Sequence, residues 1–264
     1  MSDLLSALLL GILEGITEFL PISSTGHLLI AQHWLGARSD FFNIVIQAGA
    51  ILATTLVFRQ RLWTLATGWN DAANRDYLVK LGTAFLVTAL VGLPVRLAGW
   101  ELPETVTPVA LALILGGGWI LLAEHVAGRL PDRDTITWKV AIGVGLAQVL
   151  AGVFPGTSRS GSAIFLAMLL GLSRRSAATE FVFLVGIPTM FAASAYAFLE
   201  LLKNGQLGQQ AWGDVAVAFA AAVATGFIVV KWLMGYIKRH SYRWFALYRL
   251  ALGVGLLLFL PSGS

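Results

Sequence analysis

Two apolar stretches, Leu4–Leu35 and Val140–Leu172, are each interrupted midway by residues that a lipid-facing helix does not tolerate. The first breaks at Pro21–Gly26 and the second at Pro155–Gly161. Irregular backbone is stable at membrane depth only where protein or a wet cavity satisfies its polar groups. Each half of either stretch is too short to cross a bilayer comfortably, which takes about 20 residues. Both therefore read as re-entrant helix–loop–helix hairpins.

Six uninterrupted apolar runs accompany them: Phe41–Phe58, Leu78–Leu97, Thr107–Ala123, Ser176–Leu201, Val215–Met234 and Phe245–Leu260. Charged residues make up 12% of the chain and hydrophobic ones 57%, where a soluble domain carries about 25% charged. The expected fold is an all-α polytopic membrane protein with six full transmembrane helices and two re-entrant hairpins. It forms one membrane domain over 1–264, with no room for a soluble one. The 264 residues contain no cysteine, which excludes disulfides and thiolate chemistry. Asp3 replaces a basic leader segment, and Glu14 and Glu18 interrupt the first apolar run, so a cleaved signal peptide is not expected.

The charges orient this arrangement. If each hairpin returns to its starting side, one face receives Arg59, Arg61, Arg75, Lys80, Arg129, Arg133, Lys139, Arg174, Arg175, Lys231, Lys238, Arg239 and Arg243. The other receives Arg38, Arg96 and Lys203, with Glu101, Glu104 and Asp214. The basic face is expected to be cytoplasmic, and both termini lie on the other side. The net charge of +4 then reflects loop lysines and arginines, so nucleic acid is not an expected partner. The hairpins enter from opposite leaflets, the mark of an inverted-topology repeat. Repeat 1 covers about 1–130 with hairpin 4–35, and repeat 2 about 136–264 with hairpin 140–172. An offset of 134 aligns Pro21 with Pro155, Ser23 with Thr157, Ser24 with Ser158, Glu14 with Gln148 and Gly11 with Gly145.

The chemistry-bearing residues gather at the breaks. Glu14 and Glu18 are one helical turn apart and project from one face; such a pair can hold a hard divalent cation beside phosphate. Ser23, Ser24 and Thr25 offer hydroxyls that could attack or bind phosphate, or cap the following helix. His27 has the chemistry of a base for a serine nucleophile. In the second break, Gly156 allows close backbone approach, and Thr157, Ser158 and Ser160 supply hydroxyls. The amides leading to Gly161 open a helix N-terminus suited to an anion. Arg159 adds a permanent cation with a bidentate fork; its alternative is a buried salt bridge to Glu14 or Glu18. His33, His125 and His240 read as interfacial, and Trp34, Trp63, Trp100 and Trp244 as headgroup anchors. Arg249 and Glu180 are intramembrane charges with no assigned partner.

With Glu14-x-x-x-Glu18, the Pro21–His27 run PISSTGH and the Pro155–Ser160 run PGTSRS in place, the chain resembles the undecaprenyl-pyrophosphate phosphatase family of the bacitracin-resistance type. The family's second motif carries threonine where Ala163 stands, so no hydroxyl role is expected there. The resemblance implies a multi-pass protein of the bacterial inner membrane with a periplasm-facing site. It also implies hydrolysis of undecaprenyl pyrophosphate to undecaprenyl phosphate for cell-wall synthesis, and dependence on Mg2+ or Ca2+. The partners it implies are a polyprenyl diphosphate and membrane lipid, with a homodimer left open.

The expected mechanism has Ser24 attacking the terminal phosphorus, with His27 as its base and Glu18 orienting it. Arg159 and the 156–161 amides hold the phosphoryl oxygens, and Glu14, with or without Glu18, holds the metal. The alternative is a polyprenyl-phosphate transporter or flippase, because broken helices in an inverted repeat also describe secondary transporters.

Overall fold

The computed structural model describes residues 3–100, 105–205 and 211–259, so Glu101, Glu104 and Leu260 lie outside the described residues. The described chain is helical throughout: α1 (Asp3–Thr17), α2 (Ser24–Leu35), α3 (Asp40–Val57), α4 (Arg59–Thr67), α5 (Ala72–Leu97), α6 (Val106–Ala127), α7 (Trp138–Val153), α8 (Arg159–Leu169), α9 (Arg175–Lys203), α10 (Trp212–Tyr236) and α11 (Arg243–Phe259). The apolar runs become α3, α5, α6, α9, α10 and α11. The first five are long and apolar enough to cross a membrane, while α11 has 17 described residues. Large apolar side chains such as Leu115 (73% exposed) and Phe259 (84%) face outward, as lipid contact requires. Trp34, Trp63, Trp100 and Trp244 are likewise exposed near helix ends. The molecule is a multi-pass membrane protein. Helix α4 was not expected; its sequence RQRLWTLAT lacks an apolar run and buries only Leu65.

Each broken stretch forms a hairpin, α1 packing on α2 and α7 on α8. The breaks are shorter than expected, because Ser24–Gly26 and Arg159–Gly161 already belong to α2 and α8. Ser23 and Ser158 are the helix caps. Both take positive φ, 73° and 69°, and each side chain accepts from the amide three residues on, Gly26 and Gly161. The structural counterpart of Ser158 is therefore Ser23, an offset of 135, which corrects the expected match with Ser24. Before the breaks the offset is 134. A Cβ on Gly11 would lie 2.2 Å from the Ala218 carbonyl oxygen, and one on Gly145 would lie 2.6 Å from that of Ala84. Thus α1 meets α10 as α7 meets α5, and the second hairpin holds one extra residue before its cap.

Ion pairs gather the helix ends into two groups. Arg38 bonds Asp214 at 3.0 Å and the Asp3 carbonyl at 2.8 Å, which brings both ends of the first hairpin beside the start of α10. Arg96 meets Glu200 at 3.2 Å. At other helix ends, Arg61 meets Glu180 at 3.1 Å, giving that glutamate its partner. Glu124 takes two bonds from Arg175, at 2.8 and 2.6 Å, and one from the Tyr242 amide. Arg174 pairs with Asp132 and Asp134, joining the residues before α7 to those after α8.

Candidate active site

The two breaks touch. Ser160 Oγ donates to the Glu18 carbonyl at 3.3 Å, and Gly161 packs on Pro21. Arg249, which sequence reasoning left without a partner, lies beneath them at 1% exposure. Its guanidinium donates to the carbonyls of Pro21 (3.2 Å), Gly156 (3.0 Å), Thr157 (3.1 Å), Ala112 (2.9 Å) and Leu113 (3.3 Å). All five N–H donors are used. Three of the carbonyls, of Pro21, Gly156 and Thr157, belong to the breaks, where the helices leave such groups without partners, and two belong to α6. Gly116 makes room, since a Cβ there would sit 2.0 Å from an Arg249 nitrogen.

Above this staple, the amide of Glu18 still donates to the Glu14 carbonyl at 3.0 Å, so both carboxylates stay on one helical face. They are 1% and 8% exposed. Ser24 Oγ donates to Glu18 Oε2 at 2.5 Å. Glu14, Ser24 and Thr25 line a cleft of about 520 Å³. Arg159 and Gln148 line a second cleft of about 800 Å³. Asp40, Ile44 and Gln47 of α3 line both, so the two clefts adjoin along α3 and together make up a crevice beside the hairpins. A small hollow of about 30 Å³ joins Glu18, Gln148, Arg159 and Ser160.

The Arg159 charge acts on both carboxylates. No ion pair within 4.0 Å holds it among the described residues, so the anticipated salt bridge to Glu14 or Glu18 is not formed. Its fork is free for an anion. Ser24 and Arg159 occupy the same place in the two hairpins, directly after the serine cap. The first amides of α2 and α8 have no intrahelical acceptors and add anion-binding capacity.

Other expected site residues are committed elsewhere. His27 does not reach Ser24. A helical side chain tilts back toward the N-terminus, which places its Nδ1 2.6 Å from the Ser23 carbonyl. That oxygen only accepts, so Nδ1 carries the proton. Nε2 faces the Tyr248 hydroxyl at 2.7 Å, and the two rings stack 5.6 Å apart. Gly156 gives close packing rather than ligand access, since a Cβ would meet the Val109 carbonyl oxygen at 2.8 Å. The Gly161 amide is used by the Ser158 cap, and the Thr157 hydroxyl by the Phe154 carbonyl at 2.5 Å. Ser158 Oγ also lies 3.3 Å from Ser160 Oγ.

Three side chains lining these clefts have buried polar atoms without partners, one of them Ser194 Oγ in the wider cleft. Glu14 Oε2 is buried with no hydrogen bond, as are both side-chain polar atoms of Gln148. Each such group costs about 1–3 kcal/mol if nothing meets it. A buried carboxylate oxygen beside a second carboxylate fits a hard divalent cation. No cluster of three or more His, Asp or Glu forms a full cage among the described residues. That suits an ion held by one or two carboxylates and completed by substrate phosphate and water. Tyr248, Gln148 and Arg249 are the participants the sequence did not assign; only the Glu14–Gln148 repeat match hinted at one of them.

Fold and site define a class: a multi-pass membrane protein whose two broken helical hairpins meet around a polar crevice. The profile described as bacitracin resistance protein BacA matches residues 7–255, and the chain belongs to this family. It is 78% identical over 264 residues to the undecaprenyl-diphosphatase of Stenotrophomonas maltophilia strain K279a, covering 100% of both chains. It is 73% identical over 262 residues to that of Xanthomonas campestris pv. campestris strain 8004, covering 99% of this chain and 100% of the relative. The corresponding protein of Xanthomonas axonopodis pv. citri strain 306 is 72% identical over the full length of both.

Proposed function

We propose that this chain is an undecaprenyl-diphosphatase, hydrolysing undecaprenyl pyrophosphate to undecaprenyl phosphate and inorganic phosphate and so recycling the carrier lipid for cell-wall synthesis. The observation that carries the mechanism is the Ser24 hydroxyl bonded to Glu18, which shares a small hollow with the unpaired Arg159. Arg159, Ser160 and the first amides of α2 and α8 hold the phosphoryl oxygens, with Thr25 at the rim, while Ser23 and Ser158 cap the two helices. Phosphoryl transfer depends chiefly on such positioning and charge neutralisation.

Ser24 Oγ attacks the terminal phosphorus as Glu18 takes its proton. The bond to the bridging oxygen breaks and undecaprenyl phosphate leaves. Water then attacks the phosphoserine; Ser24 Oγ departs with the proton from Glu18, and the water oxygen leaves in inorganic phosphate. Glu14 and Glu18 would hold Mg2+ or Ca2+, which when bound offsets the diphosphate charge. His27 acts as a positioning residue, fixing the first break against α11 through Tyr248.

The finer topology belongs to the same reading. Helix α11 is the sixth crossing, the hairpins are re-entrant from opposite leaflets, and the halves are inverted repeats of about 1–130 and 136–264. The Arg38–Asp214 and Arg96–Glu200 ends, the start of α1, the end of α11 and the crevice face the periplasm of a bacterial inner membrane, and the basic ends face the cytoplasm. The matched Gly11–Ala218 and Gly145–Ala84 contacts support the repeat. Release of inorganic phosphate from undecaprenyl pyrophosphate by purified protein in detergent tests the function. A transporter, which needs two compartments, would release none.

A further inference from the structure

We infer that Gln148 is a substrate-contacting residue whose amide donates to an oxygen of the terminal phosphoryl group beside Arg159. The inference rests on the phosphatase reading and extends it to a group that the sequence comparison left without a role. Gln148 is 4% exposed, yet neither Nε2 nor Oε1 has a hydrogen-bond partner. It shares the small hollow with Glu18, Arg159 and Ser160, and it lines the wide crevice together with Arg159. An amide buried without partners lowers stability, and a methionine of similar length would fill the space without that penalty. What can meet this amide is whatever enters the wide cleft that it lines beside Arg159.

The hollow itself is small and walled largely by apolar side chains such as Phe19, Phe183 and Met190; the anion-binding character lies at its edge, where Gln148 and Arg159 also line the wide cleft of about 800 Å³. Arg159 contributes a charge with no ion pair, and Ser160 sits at the start of α8, whose first amides favour an anion. Gln148 is the repeat counterpart of Glu14, at an offset of 134. One half of the molecule thus presents a carboxylate and the other a neutral amide of the same length. A second carboxylate at this position would repel the phosphoryl oxygens that Arg159 attracts. The amide instead adds N–H donors at no cost in charge, and its oxygen can accept from a water or a protonated phosphoryl oxygen.

The test compares wild type with Gln148→Met and Gln148→Glu, purified in detergent. Thermal midpoints are measured without substrate and with inorganic phosphate; kcat and KM are measured from phosphate release at several Mg2+ concentrations. Gln148→Met should keep or raise the midpoint without substrate while lowering kcat/KM by about 10- to 100-fold. It should also lose the thermal protection that phosphate gives wild type. Gln148→Glu should be slower still. Activity of Gln148→Met within twofold of wild type overturns the proposal. So does a lowered midpoint in both variants that accounts for the lost activity, which assigns Gln148 to packing. A raised Mg2+ requirement with unchanged kcat at saturating Mg2+ places the amide on the cation and overturns it too. Wild-type protein that releases no phosphate would instead refute the phosphatase reading, and the thermal protection arm would still judge Gln148.

Discussion

The Ser24 hydroxyl donates to a Glu18 carboxylate oxygen at 2.5 Å, while His27, three residues further along the same helix, faces Tyr248. This pairing decides which group can take the serine proton. Glu18→Gln keeps the shape of the side chain and removes the base, so turnover should fall by about 10²- to 10⁴-fold. Phosphate release by folded protein measures it; a loss under tenfold would exclude Glu18 as the base.

Tyr248→Phe removes the partner of His27 Nε2 and leaves the rings stacked. One neutral hydrogen bond is worth about 1 kcal/mol, so turnover should drop by no more than about tenfold. His27→Ala also removes the shorter of the two bonds to the Ser23 carbonyl and should lower both turnover and the thermal midpoint. An inactive His27→Ala with an unchanged midpoint would instead mark His27 as a proton carrier.

Because no carboxylate holds Arg159, its removal breaks no ion pair. Arg159→Ala should leave the thermal midpoint near wild type and cut turnover by about 10²-fold or more. Arg159→Lys keeps the charge without the bidentate fork and should recover only part of it. Wild-type turnover in Arg159→Ala would remove this residue from the mechanism.

Arg249→Met should act on stability first. It strips the donors from carbonyls of both breaks and of α6, and each buried carbonyl left unsatisfied costs about 1–3 kcal/mol. The readout is the unfolding midpoint in detergent; a shift of under a degree would show that the guanidinium is dispensable to the fold.

Chelation with EDTA should stop turnover, and added Mg2+ or Ca2+ should restore it. Glu14→Gln should raise the half-saturating cation concentration. It replaces a buried unpartnered carboxylate with a neutral amide, so the metal-free protein should be no less stable than wild type. Full activity in EDTA would refute the cation requirement.

Much of this architecture could be read in advance, because hydrocarbon punishes exceptions. Proline, hydroxyls and charges inside apolar runs marked the two breaks, and long uninterrupted runs marked α3, α5, α6, α9, α10 and α11. The limits of the breaks were not legible, since the positive φ at Ser23 and Ser158 leaves no trace in composition. Helix α4 carried no periodic apolar signal strong enough to announce it. Proximity along the chain also misled: His27 is close to Ser24 in sequence, but helical side-chain direction turns its ring onto Ser23. The His27–Tyr248 contact spans 221 residues and the Arg249–Pro21 contact 228. No local pattern encodes either.

The Arg249 staple has a mechanical consequence. One side chain from α11 clasps carbonyls of both breaks and of α6, so the two hairpins cannot rock apart without surrendering several bonds together. Machines that carry cargo across a bilayer by alternating access depend on such rocking. A clasp at the centre opposes such rocking, which suits a stationary anvil for cutting an anhydride better than a revolving door.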